Sequence, residues 1–218
     1  MNAYHYFHNH PDINSILDTI NETLGKAGKN ALPSCHGRYH TMFVVEKIGH
    51  ILQLFACNAR FIELGKIAAL LHDIGNIAGR KNHARKSAAL ATVFLAETDL
   101  LLPEEKDMIV QAIGDHSDGS SISTAIGAAL IIADKADFSK NRILPAENID
   151  AWHRSLLEIE DVDVLVSDNT MTFNYITTGT FSKEVFLSDL RVHDRLTGAA
   201  AYFGHGFRMQ FNGRDEIS

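Results

Sequence analysis

Apolar residues recur at helical spacing through most of the chain and change to strict alternation near its C-terminal end. Pro11 and Asp12 can open a helix reaching about Leu24, with Ile13, Ile16, Leu17, Ile20 and Leu24 on one face. A breaker-rich loop from Gly25 to Gly37 follows. Val44, Val45, Ile48, Ile51, Leu52 and Phe55 then define a strongly amphipathic helix. The next helix runs from about Phe61 to the pair His72-Asp73, with Leu64, Ile67, Ala68 and Leu71 as its inner stripe. Gly75 is the expected left-handed residue just past its end.

Beyond a loop from Asn76 to Asn82, His83 opens a helix whose inward face is Ser87, Ala88, Ala91, Phe94 and Leu95. Pro103-Glu104-Glu105 starts another, with Pro in the first turn and acids at the positive end of the dipole. Met108, Ile109, Ala112 and Ile113 continue inward to His116, and Ser117 to Ser121 breaks the helix. A helix from about Ile122 to Ser139 is built on small residues, among them Ala125, Gly127, Ala128, Ala129 and Ala133. From Asp161 the period becomes two. Val162, Val164 and Val166 alternate, Ser167-Asp168-Asn169 turns, and Met171, Phe173 and Tyr175 alternate, which predicts a β-hairpin. Thr180 or Ser182 caps a helix through Val185, Phe186, Leu190, Leu196 and Phe203, ended by Gly204, and Phe207 to Phe211 reads as one more strand. The expected fold is mainly α: a helical domain over residues 1–145 and a C-terminal α+β extension over 146–218, with a three-stranded sheet and one helix.

Composition narrows the function classes. A net charge of −7 over 218 residues argues against general nucleic-acid binding but leaves small anionic substrates open. Cys35 and Cys57 are isolated, so neither a disulfide framework nor a zinc knuckle is expected. No apolar run reaches membrane-spanning length and no signal-peptide pattern is present, so a cytoplasmic protein without a membrane partner is the expectation. The unusual count is 12 His. His5, His8 and His10 fall in a terminus expected to fray.

Two His-Asp pairs occur. His193-Asp194 is flanked by Arg191 and Arg195 and reads as a solvated helix face. His72-Asp73 closes an apolar run, where a carboxylate needs an ion, a charge partner or hydrogen bonds. It has company. His40 stands one turn before Val44 at the start of an inward face, and His83 and His116 extend the inward stripes of their helices. Asp134 shares a face with Ile126 and Leu130. His36, beside Gly37, and His50, off the apolar stripe, are less well placed than His40. Four imidazoles and two carboxylates exceed what one tetrahedral ion needs and suit two ions bridged by a carboxylate, able to hold an activated water between them. Without thiolates, Fe, Mn, Co, Ni and Zn all remain suitable.

His40, then His72-Asp73, then Asp134 within Ile132-Ala133-Asp134-Lys135 resembles the HD-domain metal-dependent phosphohydrolases over roughly residues 36 to 142. The resemblance implies that the first His, the His-Asp pair and the late Asp are metal ligands. It makes His83 and His116 similar to the second-ion ligands of the binuclear members, which include dinucleoside-polyphosphate hydrolases, with Asp73 bridging. Two features depart from the pattern: Asn76 stands where many members carry Lys, and the Gly-Tyr-Pro element of the cyclic-dinucleotide branch is missing after Asp134.

The resulting expectation is hydrolysis of a nucleotide or other small phosphoester, with His72 and Asp73 at the catalytic centre. His40, His72, Asp73, His83, His116 and Asp134 hold one or two divalent transition-metal ions, and Arg80, Lys135 and Arg142 bind substrate phosphate. The same ligands would also serve a di-iron oxygenase of this fold or a non-catalytic nucleotide-sensing module. Self-association through the C-terminal extension is compatible with all three.

Overall fold

A computed structural model describes residues 2–25, 34–117, 122–144, 149–189 and 191–217. Most of the loop expected before Gly37, the break at Asp118 to Ser121, the boundary between residues 145 and 146, and Leu190 lie outside the described residues. The chain is mainly α with a C-terminal α+β part. Helices α1 (Ala3–His8), α2 (Pro11–Gly25), α3 (Arg38–Leu54), α4 (Ala59–Leu71), α5 (His83–Ala96), α6 (Pro103–Asp115) and α7 (Ala125–Lys135) precede it. Helices α8 (Ala151–Leu156), α9 (Lys183–Phe186) and α10 (Arg191–Tyr202) accompany strands β1 (Ile159–Ser167), β2 (Thr170–Thr177), β3 (Gly206–Phe211) and β4 (Arg214–Ile217). Among the described residues, no helix is long and apolar enough to cross a membrane.

The bundle is organised around α7. Ile126, Leu130, Ile131 and Ile132 are buried together with Ala128, Ala129 and Ala133, so the helix is apolar on every side. Its small residues let neighbouring backbones approach, and α3, α4, α6 and α10 all pack against it. Thr124 caps it by accepting from the Gly127 amide at 2.9 Å, as Asn58 caps α4 through Phe61 at 2.9 Å. Because α10 buries Leu196, Ala199 and Ala200 and packs on both α7 and β3, the C-terminal part shares one core with the bundle.

The sheet has four strands in the order β1-β2-β3-β4, not the expected three. Asp168 and Asn169 both take positive φ (49° and 55°), the geometry of a tight hairpin turn matched to strand twist. Strand β3 pairs parallel to β2, which requires the crossover supplied by α9 and α10. The added strand follows Asn212-Gly213 (φ 52° and 74°), a hairpin dipeptide whose signal the short, charged β4 sequence obscured.

Other expectations need correction. The single C-terminal helix is two, α9 and α10, and α8, capped by Asp150, was not anticipated. The helix expected to reach Ser139 ends at Lys135. The N-terminus is not frayed: Asn2 caps α1, which buries Ala3 and Phe7 and packs against α4. Gly75 is not the left-handed residue. It lies in a 3-10 turn, Ile74–Ala78, and the positive φ falls on Gly79 (87°).

Candidate metal centre

The centre is assembled from helix ends. His40 comes from the first turn of α3, His72 caps the C-terminus of α4, His83 begins α5, His116 caps α6, and Asp134 lies near the end of α7. Helix ends suit this purpose because their last carbonyls lack intrahelical partners. His72 Nδ1 lies 2.7 Å from the Ala69 carbonyl, and His116 Nδ1 lies 2.7 Å from that of Ile113. A carbonyl only accepts, so each Nδ1 carries the ring proton and each Nε2 presents a lone pair. His40 Nδ1 donates to Asp137 Oδ2 at 2.7 Å, which turns its Nε2 inward in the same way.

These lone pairs converge. His40 Nε2 and His72 Nε2 are 3.2 Å apart, and His83 Nε2 and His116 Nε2 are also 3.2 Å apart. The carboxylate of Asp73 lies between the two pairs. Its Oδ2 is 3.5 Å from His72 Nε2 and 3.7 Å from His40 Nε2, while Oδ1 is 3.4 Å from His83 Nε2 and 3.8 Å from His116 Nε2. Asp134 Oδ1 is 3.2 Å from His40 Nε2. With protons committed to the outer nitrogens of His40 and His72, their facing Nε2 lone pairs repel unless a cation sits between them. The donor set therefore fits divalent metal. Three overlapping buried groups have ligand atoms within 4.8 Å of one another: His40, His72 and Asp134; His72, Asp73 and His116; and His36, His40 and Asp73.

Every expected ligand is thus brought to one place, although His83 enters through its contacts with His116 and Asp73 rather than through one of those groups. Its approach depends on Gly75. A Cβ there would lie 2.4 Å from the Ser87 amide nitrogen and 2.6 Å from the His83 carbonyl, so only glycine lets the turn after Asp73 touch the start of α5. The Gly75 amide donates to Ser87 Oγ at 2.9 Å, which fastens the contact.

Burial sets the protonation states. His72 and His83 are each pushed down to about 3 by burial, so both are neutral imidazoles at ordinary pH. For Asp134 burial acts upward and is outweighed by Lys135 and Arg142, which hold its carboxyl well below the usual range. Arg142 Nη1 donates to Asp134 Oδ1 at 3.1 Å, and the Lys135 ammonium folds back onto Oδ2. Both cations are buried. Arg80, the third expected phosphate contact, lies 3.5 Å from Asp73 Oδ1 and 3.3 Å from Asn76 Oδ1. All three line one cavity of about 370 Å³ beside the cluster.

Several functional neighbours escaped the sequence reading. His36, set aside in favour of His40, lies 2.7 Å from Asp73 Oδ2 through Nδ1, with Ser34 Oγ 3.1 Å from its Nε2. Its position four residues before His40 was an available signal. Asp137, three residues after Asp134, is fully buried and orients His40. Trp152, His153, Asp189, Arg191 and Arg195 also line the cavity, with no local signal to announce it. His193-Asp194 stays outside the cluster, its Asp side chain 79% exposed.

A family model described as HD domain matches residues 38–164, more than half of the chain. No curated protein matches. Among solved structures, a predicted HD superfamily hydrolase from an uncultured Thermotogales bacterium is similar, with 26% identity over 63% of this chain and 74% of that chain at a TM-score of 0.43.

Proposed function

Because the chain belongs to the HD-domain family, we propose that it is a metal-dependent phosphohydrolase acting on a nucleotide or other small phosphoester. The observation that carries this reading is the meeting of two features at one cavity: inward-facing imidazole lone pairs with two carboxylates, and a set of cations beside them. In this reading His40, His72 and Asp134 hold one ion, His83 and His116 hold a second, and Asp73 is shared. Divalent ions there would supply Lewis-acid polarisation of a phosphoryl oxygen and acidify water.

The chain's own residues do the rest. Arg142 and Lys135 grip the two oxygens of Asp134 and border the cavity, so their charge is fixed before substrate arrives. Arg80, with a side chain 39% exposed, can turn from Asp73 to an entering phosphate. His36 donates from Nδ1 to Asp73 and accepts at Nε2 from the Ser34 hydroxyl, which keeps the shared carboxylate from rotating. Burial of Asp73, Asp134, Lys135 and Arg142 makes each charge contact among them stronger than it would be in water.

The test is phosphate release from a panel of nucleotides and simple phosphoesters by metal-loaded protein, run in parallel with an oxygen electrode. Chelator-sensitive phosphate release is the expected result. Metal-dependent oxygen uptake with no phosphate released from any ester would overturn the proposal in favour of di-iron oxygenase chemistry.

A further inference from the structure

The cavity beside the cluster has a wall that the metal ligands do not use. At about 370 Å³ it falls in the size range of sites for whole small molecules rather than one phosphate group. Arg80, Lys135 and Arg142 on the inner side are bonded to groups of the cluster. Helix α10 also lines the cavity. Val192 and Leu196 are buried and fix the rotation of that helix, while Arg191 and Arg195, one turn apart, line the cavity. Arg191 is pre-set: Nε donates to Asp189 Oδ1 and Nη2 to Oδ2, both at 2.7 Å, which uses two of the five guanidinium N–H groups. Phe138 and Trp152 line the cavity too, edge to face at 5.4 Å, with Lys135 and Arg142 over the Phe138 ring and the indole N–H donating to the Phe186 carbonyl at 3.0 Å. The indole therefore offers its ring, and no hydrogen bond, to whatever enters.

We propose that Arg191 and Arg195 form a second anion subsite, and that the substrate is an organic bisphosphate whose linking moiety lies against Trp152 and Phe138. The proposal rests on the phosphoester reading for the group at the cluster, but the subsite itself is independent of turnover. It also gives the C-terminal part a task, since α10 is held against the bundle through α7.

The experiment is calorimetric titration of metal-loaded protein at fixed ionic strength. The probes are alkane-α,ω-diol bisphosphates of three to six carbons and n-alkyl monophosphates of matching length. At least one bisphosphate should bind about 10-fold or more tightly than its monophosphate, the scale of charge-assisted hydrogen bonds to a second phosphate. In the Arg191→Gln, Arg195→Gln double variant that gain should fall to about 2-fold, the statistical advantage of two equivalent ends, while monophosphate affinity stays within about 2-fold of wild type and so reports an intact fold. A wild-type gain no larger than the statistical factor, or a gain that survives the double substitution, would overturn the subsite. A gain without phosphate release from any ester would leave the subsite standing and remove the hydrolase; release without a gain would do the reverse.

Discussion

Asp73→Asn is the substitution with the clearest consequence. One carboxylate oxygen faces each imidazole pair, Oδ2 towards His40 and His72 and Oδ1 towards His83 and His116. The amide keeps the volume, so no cavity opens, and its oxygen can still accept from His36 Nδ1, now at 2.7 Å from Oδ2. The amide nitrogen then replaces Oδ1 and offers an N–H group to the His116 lone pair, while Arg80, its side chain 39% exposed, gives up its 3.5 Å contact with Oδ1 for water. Ion-free variant and ion-free wild type should therefore differ by no more than about 1 kcal/mol, the net scale of one exchanged hydrogen bond. Their responses to metal should differ. With free metal at 100 times its dissociation constant, wild type gains about 2.7 kcal/mol for each ion bound, or about 5–11 °C in Tm per ion at about 2–4 °C per kcal/mol for a chain of this size. The variant should show almost none of this. The assay is thermal unfolding with and without chelator, beside elemental analysis of protein purified without chelator. The surface control Asp194→Asn should keep wild-type metal content and lie within about 0.5 kcal/mol of wild type. An Asp73→Asn protein with the same metal content and the same chelator-induced fall in Tm would refute the shared-ligand assignment.

Three further outcomes follow from the same geometry. The His83→Ala, His116→Ala double variant should retain roughly one metal per chain against about two in wild type; a wild-type count of one, unchanged in the variant, would make both residues core histidines. Gly75→Ala pushes a methyl group into the backbone of Ser87 and His83, so it should cost about 1–3 kcal/mol as an overpacked contact and lower metal content towards that of the double variant; full metal content would show that α5 does not need this approach. Tyr175 is fully buried, its hydroxyl has no partner among the described residues, and burial pushes its pKa well above the usual phenol range. Tyr175→Phe should therefore stabilise by about 1 kcal/mol, since an unsatisfied hydroxyl is removed. A pKa raised on folding gives wild type stability that is fully present below about pH 10, the ordinary phenol pKa, and is lost progressively as pH rises above it. Denaturant melts of the two proteins at pH 8 and pH 12 check both parts, and a Phe variant that is less stable at pH 8, or that loses as much by pH 12, contradicts them.

Local pattern determined a great deal here. Helical periodicity decides which side chains face inward, and an inward His or Asp at a helix end is visible without knowing what it meets. That is why His40, His72, Asp73, His83, His116 and Asp134 could be singled out together, and why the hairpin of β1 and β2 was legible from its alternation and turn. Periodicity does not say which inward faces oppose one another. The bond between His36 and Asp73 spans 37 residues of sequence and that between His40 and Asp137 spans 97, so neither follows from either segment alone. The tight place at Gly75 illustrates the same limit: a glycine after a helix suggests a left-handed cap, and only the packing of α5 across it shows that space, not φ, is what it supplies. Strand order, the parallel pairing of β3 with β2 and the delivery of Arg191 and Arg195 to the cavity were decided by α10 docking on α7. The apolar stripe of α10 required that it be buried somewhere; the small-residue surface of α7, an element distant in sequence, decided where, because close packing selects a partner by shape that hydrophobicity alone does not encode.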